Sequence, residues 1–271
     1  MDGLVSEARF DAAAWVPAKA FDDRPAGVDA EEWRLRVELA ACYRIVDRIG
    51  WTELIYNHIT TRLPGTGDRF LTNPYGLRYD EVRASTLVCV DLAGNIVGES
   101  DWPANPAGFT IHSAIHDAVA NARCILHTHT TAGVAVSAQV GGLRMESIYA
   151  SLLYGHVAYH DFEGVTVRED EKERLVASLG DRKHLILRNH GLLTVGETIA
   201  EAFLRMWHLN RACEVQVAAN AGGAPVIAVS EDACAASAAA WAGYDQQEPH
   251  GARAFSAFWR QIDGEDPSYR T

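Results

Sequence analysis

Two imidazoles stand two residues apart in Leu126-His127-Thr128-His129-Thr130. Side chains alternate across a strand, so residues two apart leave the same face. On a strand end, His127 and His129 project together, and two convergent imidazoles are ready metal ligands. The same pattern also fits two polar residues at a strand exit, so it needs a partner to carry weight. A third histidine stands in Arg188-Asn189-His190-Gly191, after the apolar run Leu185-Ile186-Leu187. The glycine beside it permits close backbone approach. His127, His129 and His190 together would give a three-histidine site with open positions for water or substrate. That is the pattern of catalytic metal sites, since structural ones are usually closed by four protein ligands.

The elements that must position these residues follow from periodicity. Apolar residues at helical spacing predict a helix from Asp29 to Gly50, with Gly50 as its stop signal. Strands are predicted at Ile55–Leu63, Arg69–Thr72, Thr86–Val90 and Asn95–Val97, and Val88–Val97 reads as a hairpin around a Gly-containing loop. A helix at Phe109–Asn121 precedes a strand at Arg123–His127, and a further helix starts at Thr131 and runs to Gln139. Short buried strands are expected at Val157–Tyr159 and Leu185–Leu187, and a long helix at Ile199–Ala219. Two helical stretches, Glu231–Ala242 and Ala252–Ile262, close the chain. Ala233–Ala240 reads as helix because alanine has the highest helix propensity. The order predicts one α/β domain around a mixed or largely antiparallel sheet. Residues 1–27 are expected to form an arm, 28–220 the domain, and 221–271 a C-terminal helical extension on the domain or on a neighbouring subunit.

Composition narrows the function. The chain has 271 residues, with 24 Lys and Arg against 36 Asp and Glu, a net charge of −12. An acidic surface argues against a nucleic-acid partner, because phosphate neutralisation needs basic groups. No apolar run approaches the ~18 residues that span a membrane. The first residues, MDGLVSEARFD, carry acids where a signal peptide carries bases, so the expected location is the cytoplasm. Cys42, Cys89, Cys124, Cys213 and Cys234 are scattered, odd in number and without a CxxC pair. They read as small buried hydrophobes rather than a disulfide framework or a thiolate zinc site.

The ordered histidine segments resemble the class II aldolase/adducin family. His127-Thr128-His129 with the following Thr131–Ser137 segment, and Asn189-His190-Gly191-Leu192, match the family's two metal segments. Phe109-Thr110-Ile111-His112, Tyr56-Asn57-His58-Ile59-Thr60 and Asn73-Pro74-Tyr75-Gly76 also match, so the resemblance runs from about Glu32 to Val217. It implies a central, mainly antiparallel sheet flanked by helices. It implies a divalent metal on His127, His129 and His190, with zinc or manganese expected. It also implies a homo-oligomer, commonly a tetramer, with active sites near subunit interfaces.

The sequence departs from the sugar-phosphate aldolases of that family in one loop. Those enzymes carry a glutamate four residues before the histidine matching His112, and serines just before it that hold phosphate. Here Pro106-Ala107-Gly108 stands in their place. Glycine cannot transfer a proton, and proline and alanine offer no side-chain donor. Asn57 and Gly76 remain at positions matching the family's phosphate loop, so they are candidate substrate-binding residues. The acidic net charge gives no general pull on a dianion. The expectation is therefore a lyase, a decarboxylase or aldolase, acting on an unphosphorylated hydroxy or oxo acid, aromatic ones included, chelated by the metal as Lewis acid.

His112 and Tyr154 are the candidate proton-transfer residues. His112 matches a recurrent family position, and Tyr149 or Tyr154 could match the tyrosine that aldolases receive from a neighbouring subunit. Arg188 could orient a substrate carboxylate through its planar fork. His116, four residues after His112 on the same helix face, reads as a polar partner on the helix surface. Tyr159 and His160 read as strand residues, and Glu146 has nothing in the sequence to fix it near a metal. Two alternatives share the scaffold. One is a non-haem Fe(II) oxygenase, for which open cis positions suit oxygen chemistry. The other is a non-enzymatic, adducin-like assembly protein, which should have lost the metal histidines.

Overall fold

The computed structural model describes residues 16–17, 19–164, 168–243 and 250–271. The first fifteen residues of the expected arm therefore lie outside the described residues. Helix α1 (Ala30–Arg48) begins where the side chain of Asp29 accepts hydrogen bonds from the backbone N–H groups of Glu31 and Glu32. It ends just before Gly50, which holds a φ of 76° that few other residues adopt readily. Strands β1 (His58–Arg62), β2 (Arg69–Thr72) and β3 (Val88–Asp91) follow as an antiparallel meander. Helix α2 (Pro106–Ala118) leads into β4 (Cys124–Thr128). Helices α3 (Thr131–Ser137) and α4 (Ile148–Leu152) precede β5 (Val157–His160). Helix α5 (Lys172–Leu179) crosses to β6 (His184–Leu187), which turns into β7 (Gly191–Gly196). Helices α6 (Ile199–Asn220), α7 (Glu231–Ala242) and α8 (Ala252–Glu265) complete the chain.

The seven strands form one sheet in the order β3-β2-β1-β4-β7-β6-β5. Every pairing is antiparallel except β5 with β6. That parallel pair is the one joined by a crossover helix, α5, as parallel neighbours require. The predicted α/β class with a mainly antiparallel central sheet, flanked by helices, is the observed one.

Alternation along the central strands separates two cores. Cys124 and Leu126 of β4 face one side, with Ile59 of β1, Leu192 of β7 and Phe203, Met206 and Leu209 of α6. Ile125 faces the other, with Leu193 and Val195 of β7, Ile111 and Ile115 of α2, and Leu175 and Leu179 of α5. The sheet is thus a middle layer between α1, α3 and α6 on one face and α2 and α5 on the other. Helix α8 packs Phe255 against Phe203 of α6, and Arg48 of α1 pairs with Glu265. From the N-terminal side, Phe21 sets its ring edge-on to Trp259 of α8.

Some expectations move. The segment Asn95–Val97 contributes only an isolated bridge between Val90 and Ile96, not a strand. Asp91 takes over the turn, accepting from the backbone N–H groups of Ala93 and Asn95, and such local side-chain bonds compete with a ladder. Strand β1 starts at His58 rather than Ile55, because a turn through Leu54 (φ 50°) carries on to Tyr56, whose N–H donates to Glu53 O at 2.9 Å. Helix α2 starts at Pro106 and so places Gly108 in its first turn. Helices α4 and α5 were not apparent from periodicity, being 5 and 8 residues long.

Candidate metal centre

Strand β4 delivers the first ligand and the residue after its end delivers the second. His127 is buried on the α2 face, and the next residue but one, His129, sits at the exit before α3. Their Nε2 atoms lie 2.8 Å apart. The third arrives from the β6–β7 turn. Asn189 there adopts a left-handed φ of 55°, which asparagine tolerates better than most residues. That turn swings His190 back, so that its ring centroid lies 4.9 Å from His127 and 4.8 Å from His129. One nitrogen from each of the three rings falls within 4.8 Å of the others.

Neighbouring groups prepare these nitrogens. The Nδ1 of His127 lies 2.9 Å from the carbonyl oxygen of Leu192, an obligate acceptor. The ring proton therefore sits on Nδ1, and Nε2 keeps a free lone pair toward the other two imidazoles. Burial pushes all three imidazoles below the usual histidine range, His190 to about 4. Neutral imidazole is the form that binds a metal. The backbone approaches closely as well. A side chain at Gly191 would strike the carbonyl oxygen of Thr128 and come within 3.0 Å of the His129 ring. The donor set, the fixed tautomer and the tight glycine cradle all fit a small divalent cation.

The rest of the site is a row of histidines on the face covered by α2. His58 stands directly opposite His127 in the β1–β4 pairing, with ring centroids 5.4 Å apart. His112, from α2, lies 4.1 Å from His58, centroid to centroid, and is fully buried. Burial, and then the neighbouring His58, His116 and His127, hold the His112 imidazole well below its usual range. His112 Nδ1 lies 2.7 Å from Thr60 Oγ1, as does His116 Nε2. His58 was not singled out from sequence, although strand alternation around Asn57 holds the signal.

The other predicted residues are placed as follows. Asn57 precedes His58 on the chain, so its buried side chain turns to the opposite side, where Nδ2 donates to the Trp51 carbonyl at 3.4 Å. Gly76 adopts a φ of 119° in a turn that docks on the segment before α2, with Tyr75 N–H donating to Pro103 O. Tyr43 of α1 ties that turn to β1: its hydroxyl donates to Ile59 O and accepts from the N–H groups of Ile59 and Asn73. Arg188 donates through one guanidinium nitrogen to Gln139 O at 2.8 Å and lies over the Tyr159 ring at 4.3 Å. Tyr154 follows α4, half-buried, and among the described residues no hydrogen bond or ring contact joins its side chain to the three histidines. Phe162 sets its exposed ring edge-on to His190 at 6.3 Å. A cavity of about 810 Å³, lined by Glu38, Arg62, Asp117 and Arg123, lies at the other end of β1 and β4 and contains none of the three histidines.

The comparisons agree with the geometry. Residues 37–217 match the family model described as Class II Aldolase and Adducin N-terminal domain. A Pseudomonas aeruginosa protein named "Putative aldolase class 2 protein" is 46% identical over 250 residues, covering 92% of this chain and 96% of that one. Rat alpha-adducin is 52% identical over 200 residues, 72% of this chain but 27% of the adducin. Among solved structures, an L-fuculose 1-phosphate aldolase from Glaciozyma antarctica superposes with a TM-score of 0.79 at 31% identity, over 96% of this chain and 99% of that one. The strand, the turn and the helix that hold His127, His190 and His112 all lie inside the matched region, and the chain belongs to the class II aldolase and adducin N-terminal domain family.

Proposed function

We propose that this protein is a divalent-metal-dependent lyase acting on an unphosphorylated hydroxy or oxo acid, by decarboxylation or aldol cleavage. The observation that carries the reading is the convergence of His127, His129 and His190 into one neutral, pre-oriented donor set. These three side chains would hold the metal. When bound, it supplies Lewis-acid polarisation of chelating substrate oxygens. His112, one ring removed through His58, is the proposed internal group to accept or return a proton. Tyr154 is the proposed donor from one subunit to the next in a homo-oligomer, commonly a tetramer in this family. Asn57, Gly76 and Arg188 are proposed to shape the substrate pocket, the first two through the turns they hold.

The Glaciozyma antarctica relative acts, by its name, on a sugar phosphate, L-fuculose 1-phosphate. Against the same substrate here stand Gly108 in place of a proton-transferring carboxylate, and Pro106-Ala107 in place of hydroxyl donors. The 52% identity to alpha-adducin supports a second reading, an assembly domain without turnover. Elemental analysis of protein purified anaerobically without added metal separates these readings. Zinc or manganese near one per chain, lost in His127→Ala, supports the lyase. The same protein is then offered hydroxy and oxo acids, with release of carbon dioxide or aldehyde as readout, and L-fuculose 1-phosphate as the competing substrate. Turnover of the phosphate ester alone would overturn the substrate class. Iron with substrate-dependent oxygen uptake would favour an oxygenase, and absence of metal after reconstitution would leave the assembly reading.

A further inference from the structure

A chain of four groups runs from the start of β4 to His112, and each link has only one proton arrangement. His116 Nδ1 lies 2.6 Å from the carbonyl oxygen of Ala122. A carbonyl only accepts, so Nδ1 of His116 carries the proton. His116 is fully buried and neutral, which leaves its Nε2 bare. That bare nitrogen lies 2.7 Å from Thr60 Oγ1, so the threonine hydroxyl must donate to it. A hydroxyl has one proton. Thr60 Oγ1 therefore accepts at its other contact, from His112 Nδ1, also at 2.7 Å. His112 in turn is protonated at Nδ1, and its Nε2 keeps a lone pair. That Nε2 is completely buried and has no hydrogen-bond partner among the described residues. Burying a polar atom unpaired is costly, and each such atom in a folded protein asks for a reason.

We propose that Thr60 and His116 are positioning residues that lock His112 in the Nδ1–H tautomer and so present its Nε2 as an obligate proton acceptor beside His58 and His127. Its partner would be an O–H donor, a water or a hydroxyl of the substrate. This deepens the lyase reading above and rests on it for the catalytic use of His112. The tautomer itself does not depend on that reading. The device is specific because an isolated histidine side chain prefers the opposite, Nε2–H, form. Without the Ala122 carbonyl to orient His116, nothing would dictate which way the threonine proton points. All four members have fixed places: Thr60 next but one to His58 on β1, His112 and His116 one turn apart on α2, and Ala122 just before β4.

The test is imidazole 15N spectroscopy of the full-length protein labelled at histidine, with His112 and His116 assigned from the peaks lost in His112→Gln and His116→Gln. In the wild type at neutral pH both residues should show the Nδ1–H pattern. Thr60→Ser should keep it, and Thr60→Val should move His112 to the Nε2–H pattern while metal content stays near one per chain. A wild-type His112 protonated at Nε2, or at both nitrogens, overturns the proposal without need of any variant. So does Thr60→Val with the His112 pattern unchanged. With a substrate in hand, Thr60→Val should lower kcat about a hundredfold, the scale of a lost acid–base group, with Thr60→Ser close to wild type. If the spectra behave as stated and turnover does not fall, the tautomer lock stands and the acid–base role of His112 fails.

Discussion

At the residue scale, the candidate centre depends as much on a missing side chain as on three present ones. Gly191 adjoins His190, and its backbone passes against the Thr128 carbonyl and the His129 ring. Gly191→Ala forces either the β6–β7 turn or the end of β4 to shift. Overpacking of this kind costs about 1–3 kcal/mol. Urea denaturation should register that loss, and elemental analysis should show metal falling well below one per chain. A variant that keeps both wild-type stability and full metal would show that the turn has slack the structure does not suggest. Asn189 adds a smaller term. Its left-handed φ of 55° favours asparagine or glycine, so Asn189→Ala should cost roughly 1 kcal/mol while Asn189→Gly stays near neutral. Chemical denaturation of the two variants side by side checks it.

At the element scale, the site is held where β4 hands over to α3. Thr130 caps that helix, accepting from Gly133 N–H at 3.2 Å, and its hydroxyl also donates to Asn210 Oδ1 on α6. One hydroxyl thus fixes the entry angle of α3 and docks it on the long helix that covers the sheet. Gly133 seats the same helix on β7, since a Cβ there would come within 2.7 Å of Leu192 Cγ. Thr130→Ala should cost about 1–2 kcal/mol, the upper range of a lost cap, because Asn210 Oδ1 loses its donor too. Thr130→Ser should recover most of it in thermal denaturation. If the alanine variant is neutral, the cap is not what orders His129.

At the scale of the whole molecule, buried neutral histidines make the fold acid-sensitive. Burial pushes both His116 and His184 down to about 3, the latter beside the Arg205 guanidinium. In the unfolded chain each titrates near 6.5. Between those values the unfolded state binds a proton that the folded state refuses. Stability is therefore full above pH 6.5 and falls as pH drops toward 3, by up to about 1.4 kcal/mol per pH unit for each group. Denaturation midpoints of metal-free protein, measured from pH 7 to pH 4.5, should fall steadily. His184→Gln should flatten the slope. A flat profile for the wild type would mean that these imidazoles are not neutral and buried in solution.

Much of this was legible in the chain order of residues. Two-residue spacing put His127 and His129 together because strand geometry is local, and the helical periods of α1 and α6 were clear because each runs for five turns or more. The family resemblance and the departure at Gly108 also follow from sequence alone. Other features did not, since they depend on pairing between distant segments. Sequence pointed to Asn57, but the β1–β4 register sets His58 opposite His127 and turns Asn57 to the Trp51 side. Sequence offers Arg188 as a residue to orient a carboxylate, and only folding shows that one of its N–H groups meets the Gln139 carbonyl and its plane the Tyr159 ring. His116 read as a surface partner, and the packing of α2 on β1 buried it and joined it through Thr60 to His112. Spacing along one element fixes which side chains share a face; only the register between elements decides what that face meets, and the proton order of the buried histidines follows from that meeting.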